Sequence, residues 1–140
     1  SEPLTILLVE DDPMQWALFS TCLTEKGFAV LEASHGTDAI RVCRKHTGPI
    51  HLLLTDVMLP KWRGLALPKK DMAATEMNGI ELAHQVKALV KQIQVILMSG
   101  HPKETIKRQG EVKPGTPFLH KPFDTEYLLQ RVHEVLGHRT

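Results

Sequence analysis

The chain has 140 residues, of which 42% are hydrophobic and 24% charged, a composition typical of one globular domain and too apolar for a disordered chain. Its 17 basic and 16 acidic side chains leave a net charge of +1, which disfavours a strongly basic nucleic-acid-binding module. No apolar run approaches the roughly 18 residues that a membrane-spanning helix needs, and no N-terminal signal peptide is visible.

Strand and helix signals alternate along the first half of the chain. A wholly apolar run near the N-terminus predicts a strand buried on both faces. Asp12 followed by Pro13 is typical of a helix N-cap and a first helical position. Helical spacing predicts a buried face made of four residues, Leu18, Phe19, Cys22 and Leu23. The pattern predicts strands over residues 5–9, 28–31 and 50–55 and helices over residues 13–26 and 36–46.

The second half of the chain repeats this alternation. Asn78 and Asp124 are suited to cap helices, and Gly137 is suited to end the last one. A weak helix follows Pro102 and is broken before residue 116 by glycine and proline. The pattern predicts strands over residues 94–98 and 117–120 and helices over residues 79–91 and 125–136.

Five apolar strands alternating with five helices predict an α/β fold, in which a doubly wound parallel sheet carries helices on both faces. In such sheets, ligands bind beyond the carboxyl ends of the strands. The two cysteines, Cys22 and Cys43, lack the spacing of zinc or redox sites. We expect them to be reduced, buried thiols of a cytoplasmic protein.

Polar residues follow four of the five predicted strands. They are Glu10, Asp11 and Asp12 after the first strand, Asp56 after the third, Ser99 after the fourth and Lys121 after the fifth. Carboxylates that converge repel one another unless a cation compensates them. A hard divalent ion with oxygen ligands fits such a cluster, and Mg²⁺ is the natural choice.

A cluster of this kind is suited to phosphoryl transfer. A carboxylate can attack a phosphoryl group, and Mg²⁺, a lysine and a hydroxyl can surround the phosphoryl oxygens. The sequence lacks the GxxxxGK[ST] loop that cradles nucleotide phosphates. The donor must therefore bring an already activated phosphoryl group.

The sequence resembles the receiver domain family of response regulators in two-component signalling, from about residue 5 to residue 137. Four segments carry the resemblance: Ile-Leu-Leu-Val-Glu-Asp-Asp-Pro at 6–13, Leu-Thr-Asp-Val-Met-Leu-Pro at 54–60 with Met-Asn-Gly at 77–79, Val-Ile-Leu-Met-Ser-Gly-His at 95–101, and Phe-Leu-His-Lys-Pro-Phe at 118–123. The resemblance implies the flavodoxin-like three-layer α/β/α fold with strand order 2-1-3-4-5, in a single receiver domain spanning residues 1–140.

The resemblance also assigns roles within the site. It implies that Asp56 is the phosphoacceptor and that Asp56, Asp11 and the backbone carbonyl of Met58 bind Mg²⁺ directly. Glu10 would act through a metal-bound water, and Asp12 would serve mainly as the helix cap.

Further roles fall near the ends of the fourth and fifth strands. Ser99 would bind a phosphoryl oxygen and Lys121 would be the phosphate counter-ion, with a cis bond to Pro122. Phe118 stands at the position of the switch aromatic, although a plain core phenylalanine is an open alternative. Family members often carry tyrosine there.

The function implied is that of a cytoplasmic signalling protein. A histidine kinase or a histidine phosphotransfer domain would supply the phosphoryl group, and the new charge would switch the surface around the fourth and fifth strands. The domain would catalyse its own phosphorylation and dephosphorylation without being an enzyme in the usual sense. The sequence is similar to receivers of hybrid sensor kinases. A homodimer is a further expected partner, because family members often dimerise. No direct nucleic-acid contact and no membrane segment are expected.

Two features depart from the family. Residues 61–76 insert about 15 residues beside the phosphoacceptor, with four basic and two acidic side chains and Trp62. This insertion could be a disordered loop, a lid over the site, or, least favoured, a nucleic-acid contact. Trp16, on the first helix, could anchor a docking partner or belong to the core.

Two other functions are alternatives. A Mg²⁺-dependent aspartyl phosphohydrolase of the same fold needs a second aspartate two residues after the first, where this chain has Met58, which cannot transfer a proton. A degenerate receiver-like binding module would not need the complete set of acids, hydroxyl and lysine.

Overall fold

The computed structural model describes residues 2–59, 77–100 and 112–137. These residues form five strands, β1 (Thr5–Val9), β2 (Ala29–Ala33), β3 (Leu52–Asp56), β4 (Gln94–Ser99) and β5 (Phe118–His120). They also form four helices, α1 (Pro13–Glu25), α2 (Gly36–Lys45), α3 (Gly79–Leu89) and α4 (Thr125–Val135). The insertion at 61–76 and the helix predicted after Pro102 lie outside the described residues.

The strands form one parallel sheet in the order β2-β1-β3-β4-β5. The predicted fold class and strand order are therefore confirmed. β1 and β3 are neighbours, with Val9 opposite Thr55, so the residues that follow β1 lie beside Asp56 at the end of β3. β4 and β5 continue this edge, with Ser99 opposite His120. The strand order thus brings the predicted site residues together.

Apolar side chains of the strands pack on both faces of the sheet. Alternate residues such as Leu7 and Leu53 contact α2 and α3, whereas Leu8 and Leu54 contact α1 and α4. All five residues of β1 and of β3 are buried. Because helices cover both faces, these central strands carry no alternation of polar and apolar residues.

The edge strand β2 differs from its predicted bounds. It extends to Ala33, two residues beyond the predicted end, and it contains the exposed Glu32. An edge strand has only one hydrogen-bonded neighbour, so a charged side chain can reach water there. A prediction based on runs of apolar residues therefore ends this strand too early, before Glu32.

Three helices begin at the predicted caps. The side chains of Asp12, Asn78 and Asp124 each accept a backbone N–H from the first turn of α1, α3 and α4. His35 caps α2 through Nδ1, which accepts the N–H of Asp38 at 3.2 Å. A histidine is an uncommon cap, so the sequence offered no signal for it.

The predicted buried face of α1 is only partly right. Phe19 and Leu23, four residues apart, are buried, but Leu18 is 54% exposed and Cys22 is half-buried. The buried stripe of α1 is narrower than a full apolar face, because it packs only into the layer shared with α4. Leu18 precedes Phe19 by about 100° around the helix and points away from that layer. Cys22 and Cys43 are free thiols, but both are half-buried, so the expectation that they are buried is wrong. Within the described ranges, no helix is long and apolar enough to cross a bilayer.

The core predicts how stability depends on position. Leu54 is fully buried in the centre of the sheet, so Leu54→Ala should lower the free energy of unfolding by about 2–5 kcal/mol through lost burial and a residual cavity. Leu89 is 45% exposed, so Leu89→Ala should change it by less than about 0.5 kcal/mol. Urea denaturation of both variants provides the measurement, and equal losses would contradict this account of the core.

Candidate functional site

Residues from four strand ends line one cavity at the carboxyl edge of the sheet. The cavity has a volume of about 290 Å³. The predicted site residues that line it are Glu10, Asp11, Asp56, Met58, Ser99 and Lys121. Sequence positions more than 100 residues apart therefore share one site, as the strand ends predicted.

Three carboxylates form the acidic side of this cavity. One oxygen from each of Glu10, Asp11 and Asp56 lies within 4.8 Å of the other two. Glu10 is only 3% exposed and Asp56 only 5%, whereas Asp11 is partly exposed. Oxygen donors at this spacing fit a hard divalent cation that retains some of its waters. The donor set thus suits Mg²⁺ at the position predicted for it.

Lys121 supplies the positive side of the cavity. Its Nζ donates to Oε1 of Glu10 at 2.7 Å and pairs with Oδ1 of Asp56 at 2.7 Å. Its backbone N–H donates to the carbonyl of Ser99 at 2.8 Å. The bond to Pro122 is cis, as predicted. Lys121 is therefore held to the end of β4 by its backbone and to both buried acids by its side chain.

An aromatic contact supports the loop that carries Lys121. Phe123 stacks on Phe19 of α1, with ring centroids 5.3 Å apart and an angle of 14° between the planes. Offset stacking of two rings contributes about 0.5–1.5 kcal/mol beyond the area they bury. The contact ties the loop after β5 to the helix that starts beside the acids.

The turn between β1 and α1 orients Glu10. The N–H of Glu10 donates to the carbonyl of Ala33 at 3.2 Å, and its Oε2 accepts the N–H of Asp12 at 3.1 Å. Oδ1 of Asp12 in turn accepts the N–H of Met14 at 2.9 Å. Asp12 therefore caps α1, as predicted, and helps to hold the carboxylate of Glu10.

The site also contains residues that the sequence reasoning missed. Gln15 and Gly100 line the cavity, and the amide of Gln15 lies 3.4 Å from Oδ2 of Asp12. Gln15 stands three residues after the cap of α1. That position in the first turn lies on the same side as the cap and was the available signal.

The two aromatic residues for which the sequence leaves alternatives open lie beside the site. Phe118 is half-buried, packs against the layer of α2 and α3, and pairs in register with Leu97, two residues before Ser99. Trp16 packs against the opposite layer and lines a neighbouring cavity that shares Glu10 and Asp11. Its ring nitrogen is buried and has no hydrogen-bond partner among the residues that the structure describes. The packing of Trp16 against this layer favours the core alternative over an exposed anchor for a partner.

Crowding of the acids changes the protonation of Asp56. Burial and the adjacent Glu10 raise the pKa of Asp56 from 3.8 to about 8, although Lys121 opposes the shift. Burial alone lowers the pKa of Lys121, but Asp56 and Glu10 outweigh burial and raise it. Without a metal ion, Lys121 therefore stays protonated in the site, and ionisation of Asp56 is disfavoured.

This shift predicts a pH-dependent stability in the absence of divalent ions. Because the pKa of Asp56 is higher in the folded chain than in the unfolded chain, ionisation of Asp56 favours unfolding as the pH rises from about 4 to 8. Asp56→Asn removes this penalty. With EDTA present, it should raise the free energy of unfolding by about 1–3 kcal/mol at pH 8 and much less at pH 4.5.

Urea denaturation at the two pH values provides the measurement. Added Mg²⁺ should stabilise the wild-type chain more than Asp56→Asn, because the cation compensates the acids. A difference in unfolding free energy between Asp56→Asn and the wild-type chain that is the same at both pH values would contradict the raised pKa of Asp56.

Known proteins share this fold and sequence pattern. The sequence model described as the response regulator receiver domain matches residues 6–70, which include all three acids. The transcriptional regulatory protein YbdJ of Bacillus subtilis is 31% identical over 95% of this chain and 51% of its own length. Protein PilH of Pseudomonas aeruginosa is 27% identical over 94% of this chain and 97% of its own length. The chain spans about half the length of YbdJ.

A solved structure agrees over the whole fold. The receiver domain from the hybrid histidine kinase CckA has a TM-score of 0.71 and 26% identity, covering 94% of this chain and 98% of that one. The sequence match, the strand order and the similar structure together show that the chain belongs to the family of response regulator receiver domains, the receiver modules of two-component signalling.

Proposed function

We propose that this receiver domain accepts a phosphoryl group on the carboxylate of Asp56. The observation that carries the proposal is the position of Asp56. Its Oδ1 lies 2.7 Å from Nζ of Lys121, and its carboxylate lies within 4.8 Å of donor oxygens of Glu10 and Asp11. A nucleophile, a counter-ion and a pair of cation ligands thus share one open cavity. Such a site can perform phosphoryl transfer by positioning and charge compensation.

With a phosphohistidine donor, the transfer forms one bond to phosphorus and breaks another. A carboxylate oxygen of Asp56 forms a bond to phosphorus while the bond from phosphorus to the donor imidazole nitrogen breaks. The imidazole keeps the electron pair and takes up a proton. Asp56 becomes an acyl phosphate, and the ammonium of Lys121 stands within reach of the new phosphoryl oxygens. Hydrolysis reverses the modification, since attack of water on phosphorus releases inorganic phosphate and restores Asp56.

The acids of the site would hold Mg²⁺. Asp11, Asp56 and the backbone carbonyl of Met58 are proposed as direct ligands, with Glu10 acting through a bound water. When bound, the cation neutralises charge on the acids and on the incoming phosphoryl group. Glu10 already keeps one oxygen on Lys121 and the other on the N–H of Asp12. It can therefore help to orient the cluster without leaving its place.

The same residues would pass the signal to the surface. Ser99 is 3% exposed at the end of β4, and its hydroxyl is proposed to bind a phosphoryl oxygen. Phe118 on the paired strand β5 is proposed as the aromatic residue that responds. A new charge at Asp56 would thereby bias the packing of β4 and β5.

The proposed phosphodonor is a sensor histidine kinase or a histidine phosphotransfer domain. Met14 is 83% exposed and Leu18 54% exposed on α1, and Met58 is 40% exposed at the cavity. Apolar side chains around the mouth of a site are suited to a protein donor, whose imidazole must approach Asp56. A second copy of the chain is also a proposed partner. We propose a cytoplasmic location and propose that the domain does not bind nucleic acid directly.

The wider context is also a proposal. We propose one receiver domain over residues 1–140, in which residues 61–76 are an insertion in the sequence after the phosphoacceptor. Because the similar CckA receiver comes from a hybrid histidine kinase, a hybrid kinase is one proposed context. A phosphohydrolase is disfavoured because Met58, which lines the cavity, offers no acid. A degenerate binding module is disfavoured because the acids, hydroxyl and lysine are all present in one cavity.

Phosphorylation by acetyl phosphate tests the proposed function. With Mg²⁺, the wild-type chain should gain one phosphoryl group by intact mass, because acetyl phosphate carries an activated phosphoryl group and needs no protein donor. Asp56→Asn should gain none. The matched control is Asp38→Asn, which changes an acid on α2 that pairs with Arg41 and should leave the gain intact. Modification of Asp56→Asn, or none in the wild-type chain, would contradict the proposal.

The exposed residues on α1 predict a protein-specific effect. The double variant Met14→Gln, Leu18→Gln should reduce phosphotransfer from a phosphorylated histidine kinase at least about five-fold, because it removes apolar contact area at the interface. Phosphorylation by acetyl phosphate should stay within two-fold. Leu89→Gln changes a comparably exposed side chain at the other end of the fold and serves as the control. A loss with both donors would indicate damage to the site instead of the docking surface.

A further inference from the structure

The first residue of α3 lies directly against the backbone of the proposed phosphoacceptor. A Cβ built on Gly79 would overlap the carbonyl oxygen of Asp56, and it would lie 2.8 Å from the carbonyl carbon of Asp56 and 2.9 Å from Cα of Val57. The backbone of Gly79 lies outside the left-handed region, so any residue could adopt its conformation. Glycine is therefore required at this position by space.

Hydrogen bonds fix the helix side of this contact. The N–H of Gly79 donates to the carbonyl of Val57 at 2.7 Å. Oδ1 of Asn78 accepts two N–H groups of the first turn of α3, from Ile80 and Glu81, each at 2.9 Å. The Gly79 bond thus ties the start of α3 to the loop after β3, whereas the two Asn78 bonds lie within the first turn of α3 itself.

Hydrogen bonds also fix the strand side. The N–H of Val57 donates to the carbonyl of Met98 at 2.8 Å, and Oγ1 of Thr55 donates to the carbonyl of Asp56 at 3.0 Å. Asp56 itself pairs in register with Met98. The atoms that a side chain at position 79 would meet are all backbone, which has no flexible end to move aside.

A displacement of this backbone would reach the carboxylate. Asp56 keeps its Oδ1 at 2.7 Å from Lys121 and a carboxylate oxygen within 4.8 Å of those of Glu10 and Asp11. Reacting groups misplaced by about 1 Å can lose on the order of 100-fold in rate. Cation affinity should also fall, because Mg²⁺ demands near-ideal octahedral geometry.

We infer that Gly79 is a positioning residue for Asp56: its lack of a side chain lets α3 close on the backbone of Asp56 and set the place of that carboxylate in the site. This inference rests on the proposed function, since it assigns Gly79 to the same phosphoacceptor. Gly79 is not among the described residues that line the cavity, so the inference extends the proposed site beyond its lining.

The chain offers two matched controls. Gly36 is likewise the first residue of its helix, but a Cβ there would meet side-chain atoms of Met77, with Sδ at 2.9 Å and Cβ and Cγ at 3.1 Å, and no backbone atom is among these nearest contacts. Asn78→Ala removes the cap of α3 and destabilises the helix without adding an atom beside Asp56. The first variant controls for the substitution and the second for loss of stability.

The experiment compares the 140-residue wild-type chain with Gly79→Ala, Gly36→Ala and Asn78→Ala. Mg²⁺ affinity is measured by isothermal titration calorimetry, and the rate of phosphorylation by acetyl phosphate is measured by intact mass at saturating Mg²⁺. Gly79→Ala should raise the Kd for Mg²⁺ at least about five-fold and lower the rate at least about ten-fold. Both controls should stay within two-fold of the wild-type chain.

Thermal denaturation shows whether each variant is folded. If Gly79→Ala is unfolded in dilute buffer, both measurements are repeated in sucrose, which favours the compact state. Failure to fold there would overturn the inference, because Gly79 would then serve folding instead of position. Wild-type Mg²⁺ affinity and rate in Gly79→Ala, or equal losses in Gly36→Ala or Asn78→Ala, would also overturn it. A wild-type chain that takes no phosphoryl group would contradict the proposed function, and the Mg²⁺ titration would still test the position of Asp56.

Discussion

The structure depends on holding buried acids of like charge next to one ammonium ion. Glu10 and Asp56 are almost fully buried, and both lie 2.7 Å from Nζ of Lys121. Burial and the adjacent Glu10 outweigh the single ammonium of Lys121, so the pKa of Asp56 is raised to about 8. Burying charge in this way costs stability. A fold selected for stability alone would replace these acids with apolar residues, so the cluster indicates a site that is completed by something positively charged.

The rest of the fold supplies what such a cluster needs. The central strands are apolar along their whole length and are covered by helices on both faces, so burial offsets the cost of the acids. The parallel order places β1 beside β3 and their carboxyl ends side by side. Turns with short-range hydrogen bonds then fix the acids, since Glu10 accepts the N–H of Asp12 while Asp12 caps α1.

The sequence predicts the elements and the residues that come to share one cavity, for a physical reason. A buried parallel strand must be apolar, so a change to acids, a hydroxyl or a lysine at its end stands out, and this is how Asp56 and Lys121 are found. The strand order itself came from the family resemblance, because the apolar strands carry no pairing signal of their own. Glu32 was missed because an edge strand can expose a charge, and Leu18 was placed on the wrong face because the buried stripe of α1 is narrow.

Contacts between backbone atoms were beyond the sequence altogether. In the sequence Gly79 is an ordinary glycine after a helix cap, and only the folded structure places it against Asp56. The arrangement of Lys121 is similar, because charge alone does not say which acids a lysine will pair with.

That pairing has a consequence for how a modified site would behave. Lys121 is bonded through its side chain to Glu10 and Asp56 and through its backbone to Ser99. If Asp56 becomes an acyl phosphate, the phosphoryl oxygens carry more charge than the carboxylate did and compete for the same ammonium. Lys121 must then redistribute its hydrogen bonds, and its backbone lies one residue beyond β5. A new charge at Asp56 would therefore reach the paired ends of β4 and β5 first, where Ser99 lies opposite His120, and Phe118 stands two residues before His120 on the same strand.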